Sequence, residues 1–443
     1  MRIIVVGAGD VGSYLAERLA AGGEDVVVID SDERRVAALQ ESIDALVITG
    51  NGATVPTLEA AGAGEADLLI AATSSDGVNI LACHTATELG TTTTIARIED
   101  PLLREGADRL GVDYTIDPSS TAADELADVL KAGGLSEMIH FADGKLVMVG
   151  VTVTADAPLT REALHKLRIR NAEWGWVVAA LVRNGRTTVA HGDTTIEVGD
   201  HVLLMTTTDR LNDASRLIGL KKRKIERVVI LGGTRLARLA LERMERDGHH
   251  VAIVDDDPDR CLLLAGNYPK ALVINGDPTD PEVFSDLDLG PRDAVVALTG
   301  WDEVNVLSCL VAKAHGAGMV VARFHRVAYV RLLSGVGLDA TISSRLSAAS
   351  AILRFVRRGH IERVATFSDT DAEAIEIEVD EGSPAVGKSV VQLDLPPGVV
   401  IGGISRNETT FVPDGSSVIR AGDHIIYFSL PRDIEASAAL FSA

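Results

Sequence analysis

The chain is 443 residues long, enough for roughly two to four domains that each bury a core of their own. Hydrophobic residues make up 46% and the net charge is −22, which excludes non-specific binding to nucleic acid or to anionic lipid. No apolar run reaches the ~18 uncharged residues of a membrane span, and with an apolar strand at its start the chain is expected to carry no leader peptide.

The first predicted elements are a strand (3–6), a glycine turn, a helix (11–21) and a strand (26–30) that ends on Asp30. The turn reads Gly7-Ala8-Gly9-Asp10-Val11-Gly12. This is a G-x-G-x-x-G pattern with a strand before it, a helix after it and an acid 18 residues beyond the last glycine. Gly7 permits the tight turn, Gly9 lets a pyrophosphate approach the backbone, and Gly12 lets the helix pack close to the sheet. The helix N-terminus offers N–H groups and a positive dipole end to phosphate. Asp30 is placed to accept both ribose hydroxyls and would repel a 2′-phosphate, so NAD(H), ATP or ADP is expected over NADP. A helix (33–41), a strand (45–49), a short helix near Pro56–Ala61 and a strand (67–72) follow. A helix (77–89), a strand (93–97), a helix (101–110) and a short strand (114–116) complete the lobe. Unbroken apolar strands alternating with helices predict a parallel sheet covered on both faces. The helix 120–132 and the Gly133-Gly134 joint carry the chain out.

A β-rich α+β module follows, with strands at 146–153, 176–183, 187–190, 195–197 and 201–205. A helical turn lies at 159–167, and Asn184-Gly185 marks a type I′ hairpin. Then the pattern starts again. Arg227–Asp256 retraces the opening at an offset of 225, and later segments match at 226: Cys83 falls on Cys309 and Asn79 on Asn305. The module recurs too, over 373–428. The expected fold is therefore α/β, with two doubly wound Rossmann-like lobes (1–135 and 225–360), each followed by a small α+β domain (136–220 and 361–443). The basic run Lys221-Lys222-Arg223-Lys224 reads as the solvated join.

Four further positions lie beyond the carboxyl ends of the first lobe's strands, where such sheets bind ligands. Asn51 is placed to meet adenine or its ribose, and Thr73 turns backbone and hydroxyl toward a nucleotide. Asn79 opens the next helix, either as a ligand or as a polar residue of the helix start. Arg97 faces a phosphate or pairs with Glu99 or Asp100. In the second lobe Gly232 and Gly233 remain, but Thr234 stands at the close-approach position and Ala237 at the packing position. Asp255, Asp277 and Thr299 persist there, leaving two readings open: a second nucleotide site or a structural lobe.

Groups for acid–base chemistry are missing from this pattern. His191, His201 and His424 are isolated, His84 reads as a helix packing or surface residue, and His249-His250 precede a strand. No GxxxxGK[ST] is present. Cys83, Cys261 and Cys309 lack CxxC spacing, so a reduced compartment fits better than a disulfide or zinc framework. No catalytic residue and no metal site are expected, and nucleotide sites without them suggest a sensor.

Several segments carry a family resemblance: VVGAGDVGSYLAERL with VVVID, ITGNG, AATSSDGVNILAC and IARIEDP in the first half. ALVINGDPTDPEVF, ALTGWDEVNVLSCLVAKAHGA, RVAYVRLLSGVGLDATISSR, LPPGVVIGGISRN and IRAGDHIIYF carry it in the second. The whole chain resembles the TrkA family, cytosolic nucleotide-binding subunits of Trk-type potassium uptake systems built from two RCK (TrkA-N) and two TrkA-C domains. The resemblance implies a cytoplasmic protein, peripheral on the inner face of the membrane and docked on a potassium-translocating subunit of TrkH or TrkG type. It implies binding of NAD(H) and ATP or ADP, control of gating, and homo-oligomers built as dimers of tandem chains or a larger ring. The alternatives are an NAD-dependent oxidoreductase and a regulatory module of another cation transporter.

Overall fold

The computed structural model describes residues 1–133, 137–220, 224–326, 337–356, 361–367, 370, 372–407 and 409–442. Most of the expected basic join, Gly134 of the expected joint and part of the RVAYVRLLSGVGLDATISSR segment lie outside them. The chain forms two compact units, 1–121 with 344–358 and 122–343 with 359–443.

In the first unit, β1 (Arg2–Val6), β2 (Asp25–Asp30), β3 (Leu46–Thr49), β4 (Leu68–Ala71), β5 (Thr93–Arg97) and β6 (Tyr114–Ile116) form a parallel sheet. Its order is β3-β2-β1-β4-β5-β6, which reverses direction between β1 and β4. That switch point opens a crevice beyond the strand ends. Residues alternate between the two faces of each strand, and both faces are buried. Ile3, Val5 and Val28 belong to one apolar cluster, Ile4, Val6 and Ile29 to the other. The expected helix 101–110 is instead a single turn, Pro101–Arg104, and a 3-10 turn, Asp108–Leu110, with Gly106 between them.

The cover of one face of that sheet comes from far along the chain. Ala348, Ala349, Ile352 and Leu353 of the helix Ser344–Val356 share the apolar cluster of Leu15, Leu19 and Val28. Their spacing makes one helix face. The reciprocal arrangement holds in the second unit. The helix Pro118–Ala132, expected only to carry the chain out of the first lobe, buries Ala122, Ala123, Leu126 and Leu130 with Leu236, Ala240 and Leu241. The parallel sheet there comprises β12 (Arg227–Leu231), β13 (His250–Asp255), β14 (Leu272–Asn275), β15 (Asp293–Ala297), β16 (Met319–Arg323) and β17 (Ala340–Ile342). Its order, β14-β13-β12-β15-β16-β17, copies the first.

The small modules are antiparallel sheets. One holds β7 (Glu137–Phe141), β8 (Leu146–Thr152), β9 (Trp176–Arg183), β10 (Arg186–Val189) and β11 (His201–Thr207), in the order β10-β9-β11-β8-β7. The other holds β18 (Ile361–Thr366), β19 (Glu373–Glu378), β20 (Val399–Arg406), β21 (Thr409–Phe411) and β22 (His424–Ser429), in the order β18-β19-β22-β20-β21. Asn184 and Gly185 both take positive φ, as a type I′ turn requires. The two modules share a core in which Phe141, Met205 and Leu146 meet Phe367, Ile426 and Phe428. A Cβ on Gly402 would lie 2.6 Å from Met205 Sδ, and one on Gly403 2.3 Å from Leu146 Cδ1, so these glycines let the sheets close on each other. Residues 195–197 are not a strand: the carbonyl of Thr195 accepts from Arg183, and the amide of Glu197 donates to Asp200. Side chains satisfy those backbone groups, so no ladder forms.

Candidate nucleotide-binding crevice

A cavity of about 700 Å³ opens at the switch point of the first lobe. The glycine turn lines it through Gly7, Ala8, Gly9, Asp10 and Val11, and Asp30, Asn51, Thr73 and Arg97 close its other sides. Gly7 has φ +106°, and a Cβ there would press on Thr73 at 3.1 Å. At Gly9 a Cβ would meet, within 4 Å, only Arg35 Nη1 at 3.6 Å, so the backbone stands open to a ligand. Gly12 does not line the cavity. A Cβ there would lie 1.8 Å from the carbonyl oxygen of Gly7, which is the helix packing expected of the third glycine.

Asp30 is buried at the end of β2. Its Oδ2 accepts from the Ala8 amide at 2.6 Å, and its Oδ1 accepts from the Asp32 amide at 2.8 Å. A carboxylate offers about four acceptor sites, so room remains for a pair of ribose hydroxyls. Arg35, which sequence reasoning did not single out, also lines the cavity and stands 3.9 Å from Asp30. The signal for it was the repeat, because the position 225 residues on is again arginine, Arg260.

Asn79 is fully buried and does not line the cavity. Its Oδ1 accepts from the Thr73 amide (2.9 Å) and hydroxyl (2.6 Å), and its Nδ2 donates to the carbonyls of Thr73 (3.1 Å) and Arg97 (2.8 Å). It ties the ends of β4 and β5 together and so sets the crevice wall. Arg97 faces the cavity and pairs with Glu99. Asp76 adds a second brace, accepting from the amides of Glu99 and Asp100 at 2.9 and 2.8 Å.

The second lobe keeps the braces. Asn305 binds Thr299 and the Arg323 carbonyl in the same way. Asp302 accepts from the amides of His325 and Arg326, and from His325 Nδ1. Despite burial, these bonds hold the Asp302 carboxyl below the usual carboxylate range. Gly232 repeats the positive φ, at +93°. The acid is treated differently. Asp255 accepts from the amides of Gly233 (2.5 Å) and Asp257 (2.9 Å), and Arg260 Nη1 reaches both its oxygens, at 2.9 and 2.8 Å. The hydrogen bond to Asp255 raises the Arg260 guanidinium above its ordinary value. Thr234 caps its helix by accepting from the Ala237 amide, while its hydroxyl donates to the Leu298 carbonyl at 2.9 Å. Asp277 turns back on Thr279, accepting from its amide and hydroxyl, which hold its carboxyl below the ordinary value. The acceptor sites of Asp255 are taken, and the close-approach position carries a side chain.

Among the described residues no group of His, Cys, Asp and Glu has the makings of a metal site, and no helix is long and apolar enough to cross a membrane.

The TrkA-N domain matches residues 3–118 and 228–344, and the TrkA-C domain matches 148–219 and 374–442. The Trk system potassium uptake protein TrkA of Haemophilus influenzae is 31% identical, covering 100% of this chain and 98% of its own. That of Halomonas elongata is 32% identical, with 98% of each covered. Among solved structures, the GsuK RCK domain aligns with TM-score 0.60 and 18% identity over 99% of this chain and 94% of its own. The GsuK channel bound to NAD aligns with the same score and identity over 99% and 78%. These structures share the fold, and the domain matches together with the full-length sequence similarity place this chain in the TrkA family of Trk system potassium uptake proteins.

Proposed function

We propose that the chain is the cytoplasmic regulatory subunit of a Trk-type potassium uptake system, peripheral on the membrane. It binds NAD(H) and ADP or ATP in the first crevice and gates a membrane potassium-translocating subunit. The observation that carries this reading is Asp30, buried at the strand end with acceptor sites to spare, beside a glycine whose backbone opens to the cavity. In support, relatives along the full length are named for Trk potassium uptake, and GsuK has been solved with NAD and, separately, with ADP.

Asp30 holds the adenosine ribose, the glycine turn and helix N-terminus take the diphosphate, and Asn51 and Thr73 flank the rest. The ligand leaves unchanged; its effect is to shift the population between shapes, by no more than its differential affinity for them. A difference of ~1.4 kcal/mol is tenfold. With Asp255 already engaged, one nucleotide per chain is expected.

The experiment is titration calorimetry with ADP and NADH on the full chain and on Asp30→Ala, together with potassium flux through the reconstituted system. Binding should weaken in the variant, and nucleotide control of flux should move to higher nucleotide concentration by the same factor. Normal control of flux without binding would overturn the reading, as would NADH recovered in oxidised form.

A further inference from the structure

The walls of the first crevice carry four charged side chains, Asp10, Asp30, Arg35 and Arg97. Three of them have close partners. Asp10 pairs with Arg345, Arg97 is bonded to Glu99, and Asp30 accepts from the amides of Ala8 and Asp32. Arg35 differs. Its guanidinium makes no hydrogen bond to any described residue: Asp30 and Asp32 each stand 3.9 Å away, beyond bonding distance, and the side chain is 57% exposed.

Its place matters as much as its spare donors. Arg35 Nη1 stands 3.6 Å from the point where a methyl on Gly9 would enter the cavity, so the guanidinium borders the stretch of backbone that a diphosphate approaches. A diphosphate in this crevice meets the carboxylates of Asp10 and Asp30, while the helix N-terminus offers it only partial positive charge. A full cation with a planar fork of N–H donors offsets those acids and matches phosphate oxygens. Arg97, bonded to Glu99, is not free to serve. The second lobe shows the same arginine withdrawn, since Arg260 is held on Asp255 at 2.9 and 2.8 Å and on Asp257 at 3.1 Å.

We propose that Arg35 is the diphosphate-binding cation of the first crevice, and that through it the crevice selects phosphorylated adenosine over adenosine itself. This rests on the crevice being a nucleotide site, as proposed above. Arg35 gives up no hydrogen bond to make the contact, whereas Arg260 would first have to leave Asp255 and Asp257.

The test compares ADP and NADH, which both carry a diphosphate, with adenosine, which carries none, by calorimetry on the full chain and on Arg35→Gln, Arg35→Lys and Asp30→Ala. Arg35→Gln should weaken ADP and NADH roughly tenfold each and leave adenosine within about twofold. Arg35→Lys keeps the charge without the fork and should fall between Arg35→Gln and the unaltered chain. Asp30→Ala should weaken all three ligands, because all three carry the ribose. The proposal is overturned if Arg35→Gln leaves the affinity for ADP or NADH unchanged. It is overturned equally if ADP and adenosine weaken by the same factor, which is the result expected of an arginine that only orients Asp30. If Asp30→Ala weakens ADP while Arg35→Gln does not, the nucleotide reading stands and the cation role fails. If the unaltered chain binds none of the three, the nucleotide reading falls, and this inference with it.

Discussion

Arg35 and Arg260 occupy equivalent places, five residues after the acid that ends the second strand of each lobe. Arg35 stands 3.9 Å from Asp30 and leaves its carboxylate only two amides to serve. Arg260 lies across both oxygens of Asp255 and reaches Asp257 as well, at 3.1 Å. The sheets agree strand for strand, and the asparagine and aspartate braces are kept in both lobes. What separates them is a few side chains at the rim. A duplicated fold can preserve the frame of a site and still fill the site from within, since the frame is held by backbone-directed bonds that ignore the ligand.

The sharpest way to break this contrast is to remove each acid in turn. Asp30→Ala should cost about 2–3 kcal/mol of ADP binding, or roughly 30- to 150-fold, because two hydrogen bonds to a charged acceptor are lost. Asp255→Ala should leave ADP affinity unchanged by calorimetry. The glycines sharpen it next. Gly12→Ala should destabilise the first lobe by about 2–3 kcal/mol in denaturant melts, since the new methyl runs into the Gly7 carbonyl. Gly9→Ala should melt within about 1 kcal/mol of the unaltered chain yet bind ADP about tenfold more weakly, because its methyl enters the cavity. Opening the closed crevice is a subtler test. Thr234→Gly with Arg260→Ala frees the close-approach position and the Asp255 carboxylate, and should add a weak second ADP site to the calorimetric stoichiometry. The smallest difference concerns the thiols. Burial pushes Cys83 and Cys309, at matching positions, up to about 12, and raises Cys261 as well. None should react with a thiol reagent at pH 8 until denaturant is added, in either half of the chain.

Much of this was legible in the sequence because the signals are local. The glycine turn, the acid at the strand end and apolar runs of strand length place the first crevice, and the offset of 225 places the second. Thr234 announced a hindered approach by its side chain alone. The rest depends on neighbours that sequence distance hides. Asn79 reads as a helix-start residue, and only the fold brings the Arg97 carbonyl beside it. The edge strands β7 and β18 escaped notice, although β10, at the opposite edge of its sheet, did not. No periodicity told that the helices Pro118–Ala132 and Ser344–Val356 cover each other's lobe, because an amphipathic stripe fits any apolar face of the right width.

That crossing of helices has a consequence for synthesis. The first sheet leaves the ribosome complete, but the helix that lies over Leu15 and Leu19 does not exist until Ser344 has been translated. In the interval an oily flank waits in water, a situation that invites chaperones or a neighbouring nascent chain. A released fragment of residues 1–121 should therefore bind a hydrophobic dye, and adding the Ser344–Val356 peptide in trans should quench it.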